Sequence, residues 1–280
     1  MIKTPINSDV TTSVTATLTA SPIENDSATG GSQASKVAGE PESFATDSWS
    51  TIKSAVHNGN TSSYHVGDTK TVTINNKDYT VRIANKSTNE NCSDSSYSET
   101  ACGFVIEFVD IITEMQMRDI YTNIGGYPAT LVHDYLNNTL YGQLPEDLQD
   151  SIKPTRVISG YGDNESDSSN FTTTDNLYLL SAIEVYGTDL GGNNLYDTAA
   201  ETTHQLEYYS NNGVTYSSGD WTVTNSDIVI KLYNSSNFDW WLRQADSCSN
   251  NAFFVVTSVG WCGGSGAANP YGLAPAFRIG

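Results

Sequence analysis

The sequence predicts a loop-rich α+β domain, with two or more helices packed on small antiparallel sheets. Three observations carry that expectation. Apolar residues at helical spacing fall in the first half of the chain, and alternating β-branched runs lie among them. The last 44 residues are rich in Gly, Ser and Asn between aromatic ends, with no period held for long.

Taken in order, residues 1–43 hold few large apolar side chains. Residues 11–19 alternate loosely and residues 27–35 are rich in Gly, Ser and Ala, so the segment reads as a flexible linker or stalk, with one strand near 14–18. The folded domain begins at Phe44. Over residues 48–56, Trp49, Ile52 and Val56 share one helical face. Asp47 or Ser48 is the N-cap and Gly59 lies just past the end. Alternating runs at 71–74 and 79–83 flank a turn over 75–78, which predicts a hairpin. Residues 103–112 are apolar enough for a central strand.

Residues 127–140 place Leu131, Val132, Tyr135, Leu136 and Leu140 at helical spacing, with Pro128 in the first turn. A shorter helix is expected over 145–152, between Pro145 and Pro154. The apolar run 177–187 reads as a strand, the glycine-rich 187–192 as a turn, and 245–270 as loop with short strand pieces.

With 280 residues the chain has one to two domains' worth of length. Its formal net charge of −19, from 13 Lys+Arg against 32 Asp+Glu, repels phosphate backbones, and no basic cluster offsets it, so nucleic acid is not an expected partner. The polar, uncharged, Tyr-rich composition is that of secreted β-rich proteins. No apolar run reaches the roughly 18 residues of a membrane span, so no membrane insertion is expected. Met1-Ile2-Lys3 is not followed by an apolar stretch, which leaves a trimmed chain or another route of exit, for instance in a phage particle. The cysteines form two local pairs, Cys92 with Cys102 and Cys248 with Cys262. Three connectivities are open, and oxidised pairs are expected if the protein is extracellular.

Catalytic signals are sparse. His57, His65, His133 and His204 sit apart in sequence, and no nucleophile elbow, dinucleotide fingerprint, paired-histidine zinc motif or phosphate loop occurs. Asp163, Glu165 and Asp167 could offer oxygens to calcium, but the spacing of a calcium loop is missing, and a solvated acidic loop is the better reading. No metal, cofactor or catalytic residue is expected.

The C-terminal stretch carries a resemblance. Trp240-Trp241-Leu242-Arg243, Asn250-Asn251, Gly260 and the closing Gly272-Leu273-Ala274-Pro275-Ala276-Phe277-Arg278 resemble the variable region of diversity-generating retroelement target proteins. In that family the region belongs to a C-type-lectin-like domain, and residues 44–280 would form it here. An error-prone copy of a template repeat changes adenines, typically in Asn codons. Asp246, Ser247, Cys248, Ser249, Ala252, Phe254, Val256, Ser258, Cys262, Gly263, Gly264, Ser265, Gly266, Ala268 and Pro270 are all reachable from an Asn codon, whereas Gln244 and Trp261 are not. Lys, Glu and Met do not occur from Gln244 onward.

The resemblance implies a binding protein with residues 237–280 as its variable region. Trp240, Trp241, Arg243, Pro275, Phe277 and Arg278 would be its frame, with the two arginines paired to buried carbonyls or carboxylates. Its exposed face would be Asp239, Asp246, Ser247, Ser249, Ala252, Phe254, Val256, Ser258, Cys262, Gly263, Ser265, Ala268 and Tyr271. The partner would be a protein or glycan on a target cell surface, and the protein itself a bacterial surface adhesin or a phage tip. The calcium-site tripeptides of sugar-binding C-type lectins are missing. An invariant structural module of a cell-surface protein is one alternative. Another is an enzyme of the formylglycine-generating type, which shares the fold and would use Cys248 and Cys262.

Overall fold

The computed structural model describes residues 39–188, 196–217 and 222–280. The chain divides into two units, Met1–Val37 and Ala38–Gly280, and the described residues belong to the second. Most of the expected linker, including the strand near 14–18, lies outside the described residues, as do residues 189–192 of the glycine-rich turn. At the start of the described part, Ser63 Oγ donates to Pro41 O at 3.0 Å, and Asp47 Oδ2 accepts from the Ser43 amide at 3.1 Å.

Helix α1 (Trp49–His57) starts where Ser48 accepts the Thr51 amide, which satisfies one of the unpaired first-turn donors. Strands β1 (Thr69–Ile74) and β2 (Lys77–Asn85) form the first hairpin. Its turn is tighter than expected: Asn75 and Asn76 alone make it, at φ 50° and 63°, and Lys77 and Asp78 already pair with β1. Two consecutive left-handed residues twist as the strands do, and Asn tolerates that region. Strand β3 (Val105–Phe108) is buried along its length, whereas β4 (Thr113–Gln116), a few residues later, joins a different sheet.

The helix expected over 127–140 is instead a composite. A 3-10 turn (Tyr127–Ala129) leads into α2 (Leu131–Asp134), a π-helix (Tyr135–Leu140) and a second 3-10 turn (Tyr141–Gln143). Val132, Leu136 and Leu140 are buried at intervals of four while Leu131 is 42 % exposed. A spacing of four drifts off one face of a regular α-helix, and a wider winding keeps it aligned. Asn137, inside the wide turn, donates to His133 O and Leu177 O and accepts the amides of Asn176 and Leu177. Helix α3 (Glu146–Gln149) is shorter than expected, because Ile152 and Lys153 leave it to form β5 (Ile152–Lys153).

A hairpin of β6 (Thr155–Ser159) and β7 (Phe171–Asp175) follows. The run 177–187 is not a strand: it makes one isolated bridge, Tyr178 to Ala276, and then turns into α4 (Ala182–Tyr186). Ser181 and Glu184 form a complete capping box and Gly187 closes the helix at φ 76°. Next come α5 (Glu207–Asn211), the ribbon β8 (Thr215–Ser217) with β9 (Thr222–Thr224), and the ribbon β10 (Lys231–Tyr233) with β11 (Ser236–Phe238).

The C-terminal stretch carries five strands, of which β13 and β14 are the short strand pieces expected within 245–270: β12 (Trp240–Ala245), β13 (Ala252–Val256), β14 (Cys262–Gly266), β15 (Pro270–Leu273) and β16 (Ala276–Ile279). One five-stranded sheet has the order β1-β2-β3-β16-β5 and is antiparallel throughout. The other has the order β14-β13-β12-β15-β4, with β12 and β15 its parallel pair. The last 44 residues therefore supply four strands of one sheet and an inner strand of the other. Trp241, Phe253 and Val255 enter one apolar cluster with Phe44, Trp49 and Phe277. Trp240, Leu242, Phe254 and Val256 enter a second, with Tyr178 and Tyr186. Strands β12 and β13 are thus covered on both faces, which calls for an unbroken apolar run rather than alternation.

Candidate ligand-binding face

The six residues expected to form the frame are all buried. Trp240 and Trp241 are fully buried, and their indole N–H groups donate to Val229 O at 3.0 Å and Met115 O at 2.9 Å. Arg243 and Glu184 meet through two bonds of 2.6 Å. Arg243 also donates to Leu179 O and Thr100 Oγ1, and Glu184 accepts the Ser181 amide and the Thr100 and Thr203 hydroxyls. Burial pushes the Glu184 carboxyl up, but the Arg243 charge and the converging donors outweigh it and hold the group below the ordinary carboxylate range. Phe277 packs edge-on against Trp49 and Phe108, and Pro275 O accepts the Phe108 amide. Arg278 lies 3.2 Å from Glu99.

Of the thirteen residues expected on the exposed face, the structure removes three. Ala252, Phe254 and Val256 are 7 %, 4 % and 0 % exposed, because β13 is an inner strand. The other ten are half-buried: Asp239, Asp246, Ser247, Ser249, Ser258, Cys262, Gly263, Ser265, Ala268 and Tyr271. Eight of them fall into three groups. Asp239 accepts the Ser258 amide at 2.7 Å, which ties the β13–β14 turn to the start of β12. Ser265 Oγ donates to the Tyr271 hydroxyl at 3.0 Å and accepts from Asn269 Nδ2 at 3.2 Å; Ala268 O accepts from Gln116 Nε2. Asp246 and Ser249 belong to the β12–β13 connection, where the Ser249 amide donates to Asp246 O at 3.1 Å and the Ser247 amide to Tyr196 O at 3.2 Å. The Asp246 carboxyl reaches over β14: a Cβ on Gly264 would stand 2.7 Å from Asp246 Oδ2. Partial burial raises that carboxyl above its ordinary range, against the opposing Cys248 amide.

Cys92 and Cys102 form a disulfide. Cys248 and Cys262 do not, contrary to the expected second pair: both are free, Cys248 exposed and Cys262 half-buried with its thiol pushed up by burial.

Several residues of the face were invisible to the sequence reading because they lie far from it in the chain. Buried Asn123 directs its two amide hydrogens among Asp246 O, Ser249 O and Ala252 O, at 3.3, 2.8 and 2.9 Å, and fixes the β12–β13 connection. Asn164 in turn donates to Asn123 Oδ1 at 2.7 Å, and the Asp163 amide donates to Ser249 O at 3.0 Å. The acidic loop 163–167 therefore braces the face. Tyr121, 62 % exposed, lies against Gly266, and its hydroxyl donates to Asn269 Oδ1 at 3.1 Å. Beside it Ile120 is 59 % exposed, and across the strand Val259 and Trp261 are 59 % and 57 % exposed. The one available signal was the run Ala252-Phe253-Phe254-Val255-Val256, whose five apolar residues mark a strand buried on both faces.

The electrostatics are one-sided. Residues 157–280 contain 13 Asp+Glu and only three cations, Lys231, Arg243 and Arg278. All three are buried, and they pair with Glu107, Glu184 and Glu99. Burial lowers Lys231 to about 8, with Glu107 pulling the other way. Elsewhere, His133 Nε2 meets Asp175 Oδ1 at 2.9 Å, and His204 lies against Tyr97 and Asn89, with burial lowering its pKa. Among the described residues no group of three or more His, Cys, Asp or Glu side chains is placed to hold a metal.

The fold and face define a mixed, loop-rich α+β domain with two interlocked five-stranded sheets and an acidic, aromatic-edged surface. Residues 105–280 match the family model described as Domain of unknown function (DUF6273). The match spans well over half of the chain, so the chain belongs to the DUF6273 family. It begins at the first residue of β3 and takes in every strand of the second sheet. No curated protein and no solved structure matches the chain.

Proposed function

We propose that this chain is a ligand-binding protein with a C-type-lectin-like domain. Its C-terminal surface is diversified by adenine-directed copying, and it is displayed as an adhesin or as the receptor-binding part of a phage. The observation that carries this reading is the division of residues 237–280 into two populations. The frame residues are buried, with Trp240, Trp241 and Arg243 held by side-chain hydrogen bonds, and the interspersed Ser, Gly, Ala and Asp positions sit half-open on the sheet. A surface meant to vary needs a scaffold whose stability does not depend on it.

The burial of Ala252, Phe254 and Val256 narrows the variable face to the other ten positions. The Cys92–Cys102 disulfide fits a protein that works outside the reducing cytosol. Cys262 argues against the formylglycine-generating type of enzyme: burial pushes its thiol up, the reverse of what a thiolate nucleophile needs.

The test is to sequence codons 237–280 and their flanks across the source population. Diversified binding predicts a near-identical repeat nearby, with differences concentrated where that repeat has adenine. A uniform segment with no repeat would return the chain to the invariant structural module.

A further inference from the structure

Strand β14 is an edge strand, and among the described residues no strand pairs with its outer side. The bonds Thr257 N–H to Trp261 O (2.7 Å) and Ala267 N–H to Asn251 O (2.9 Å) flank the β13–β14 ladder at both ends. Bonded pairs alternate in an antiparallel ladder, so 255 with 263 and 253 with 265 are the bonded pairs between them. The backbone groups of Cys262, Gly264 and Gly266 therefore point away from β13. Gly266 O accepts the Asn269 amide at 3.0 Å, and no other bond from a described residue meets these outward groups.

Natural edges are guarded by lysine, proline or bulges. The sequence Cys262-Gly263-Gly264-Ser265-Gly266 has no such guard. Instead, exposed apolar side chains stand at both ends of the strand: Val259 and Trp261 before it, and Tyr121, next to exposed Ile120 in the chain, beside Gly266.

We infer that β14 receives an extended peptide segment of a partner protein, uncharged or basic, which adds to the sheet as a further strand. The inference rests on the binding reading above and says how the partner is held. Main-chain bonds to Cys262, Gly264 and Gly266 hold it, and Trp261 and Tyr121 clasp the side chains at its two ends. Backbone recognition does not depend on which side chains the variable positions carry, so it survives their diversification. The charge of the peptide follows from the Asp246 carboxylate beside Gly264 and from the lack of any exposed Lys or Arg over the described part of 157–280. The same acidity disfavours a second copy as occupant, because each chain carries a net charge of −19.

The test selects peptides from a phage-displayed random library on the full chain and follows amide hydrogen exchange with and without a selected peptide. The expected result is that the amides of Cys262, Gly264 and Gly266 slow at least about tenfold, while those of Gly263 and Ser265, already bonded to β13, change little. N-methylation of the peptide at alternate residues weakens binding by about tenfold per bond lost, and methylation at the residues between does not. Cys262→Pro removes one outward donor and weakens binding, whereas Cys262→Ala keeps the donor and binds; if Cys262→Pro fails to fold, the methylation series decides. Four results would overturn the inference: no enrichment of any sequence, enrichment of acidic peptides, protection without the two-residue period, or the same three amides protected by concentration-dependent self-association. Adenine-biased variation in the population combined with any of these would leave the diversified-binder reading standing and remove only the strand edge.

Discussion

Arg243 and Glu184 meet through two bonds of 2.6 Å with almost no exposure to water, so neither can lose its partner cheaply. Glu184→Ala should cost about 3–5 kcal/mol in urea unfolding, because it leaves a buried guanidinium uncompensated. The pair also sets a pH dependence. Its carboxyl lies below the ordinary range when folded and at the ordinary value when unfolded, so the unfolded chain takes up the proton first as pH falls. The stabilisation is complete above the ordinary glutamate range and is lost as pH falls through that range toward the folded value. Glu107, held low by Arg82 and Lys231 against its own burial, acts in the same direction. Glu184→Gln should therefore flatten the fall in urea midpoint between neutral pH and about pH 3. Asn123 bears a different load. Asn123→Ala should cost about 1–3 kcal/mol by taking one of two donors from each of the Asp246, Ser249 and Ala252 carbonyls, and should raise hydrogen exchange in residues 246–252 first.

At the scale of elements, the Asn75-Asn76 turn takes two left-handed residues, and Gly is the residue that does this at least cost. Asn76→Gly should raise the thermal midpoint, by an amount equivalent to a few tenths of a kcal/mol up to about 1 kcal/mol. Local signals of this kind were legible: Ser48 before Trp49, the hairpin, and the apolar run of β3. Others were present and misread. Ser181-Ala182-Ile183-Glu184 spells a capping box ahead of Gly187, yet the apolar run around it looked like a strand. Residues 245–270 read as loop with short strand pieces, but β13 could not be placed among them, because alternation is the mark of a half-exposed strand and β13 is exposed on neither face. Within the C-terminal stretch, the burial of Trp240, Trp241, Pro275 and Phe277 could be read from sequence. Asn123 and Tyr121 could not, since they reach it from more than a hundred residues away through a sheet order that no local pattern encodes.

At the scale of the whole molecule, the charge is unbalanced and unevenly spent. The three cations of residues 157–280 are consumed inside the protein, so that segment adds only negative charge to the surface of a chain with a net charge of −19. Self-repulsion of that surface should be relieved by salt. The thermal midpoint should rise between about 10 mM and 150 mM NaCl, where the screening length shortens from about 30 Å to about 8 Å. The two sheets share the C-terminal stretch, with β16 between β3 and β5 and β15 between β12 and β4, so frame substitutions should unfold both sheets together.

The central claim is that frame and face are separable within one stretch of 44 residues. The direct measurement is a saturation scan of residues 237–280 on the displayed full chain, sorted for folded protein by protease resistance. The account predicts that Asp246, Ser249, Ser258, Ser265, Ala268 and Tyr271 accept most substitutions. It predicts that Trp240, Trp241, Arg243 and Phe277, together with the buried Phe254 and Val256, accept almost none. Equal intolerance across both sets would contradict it.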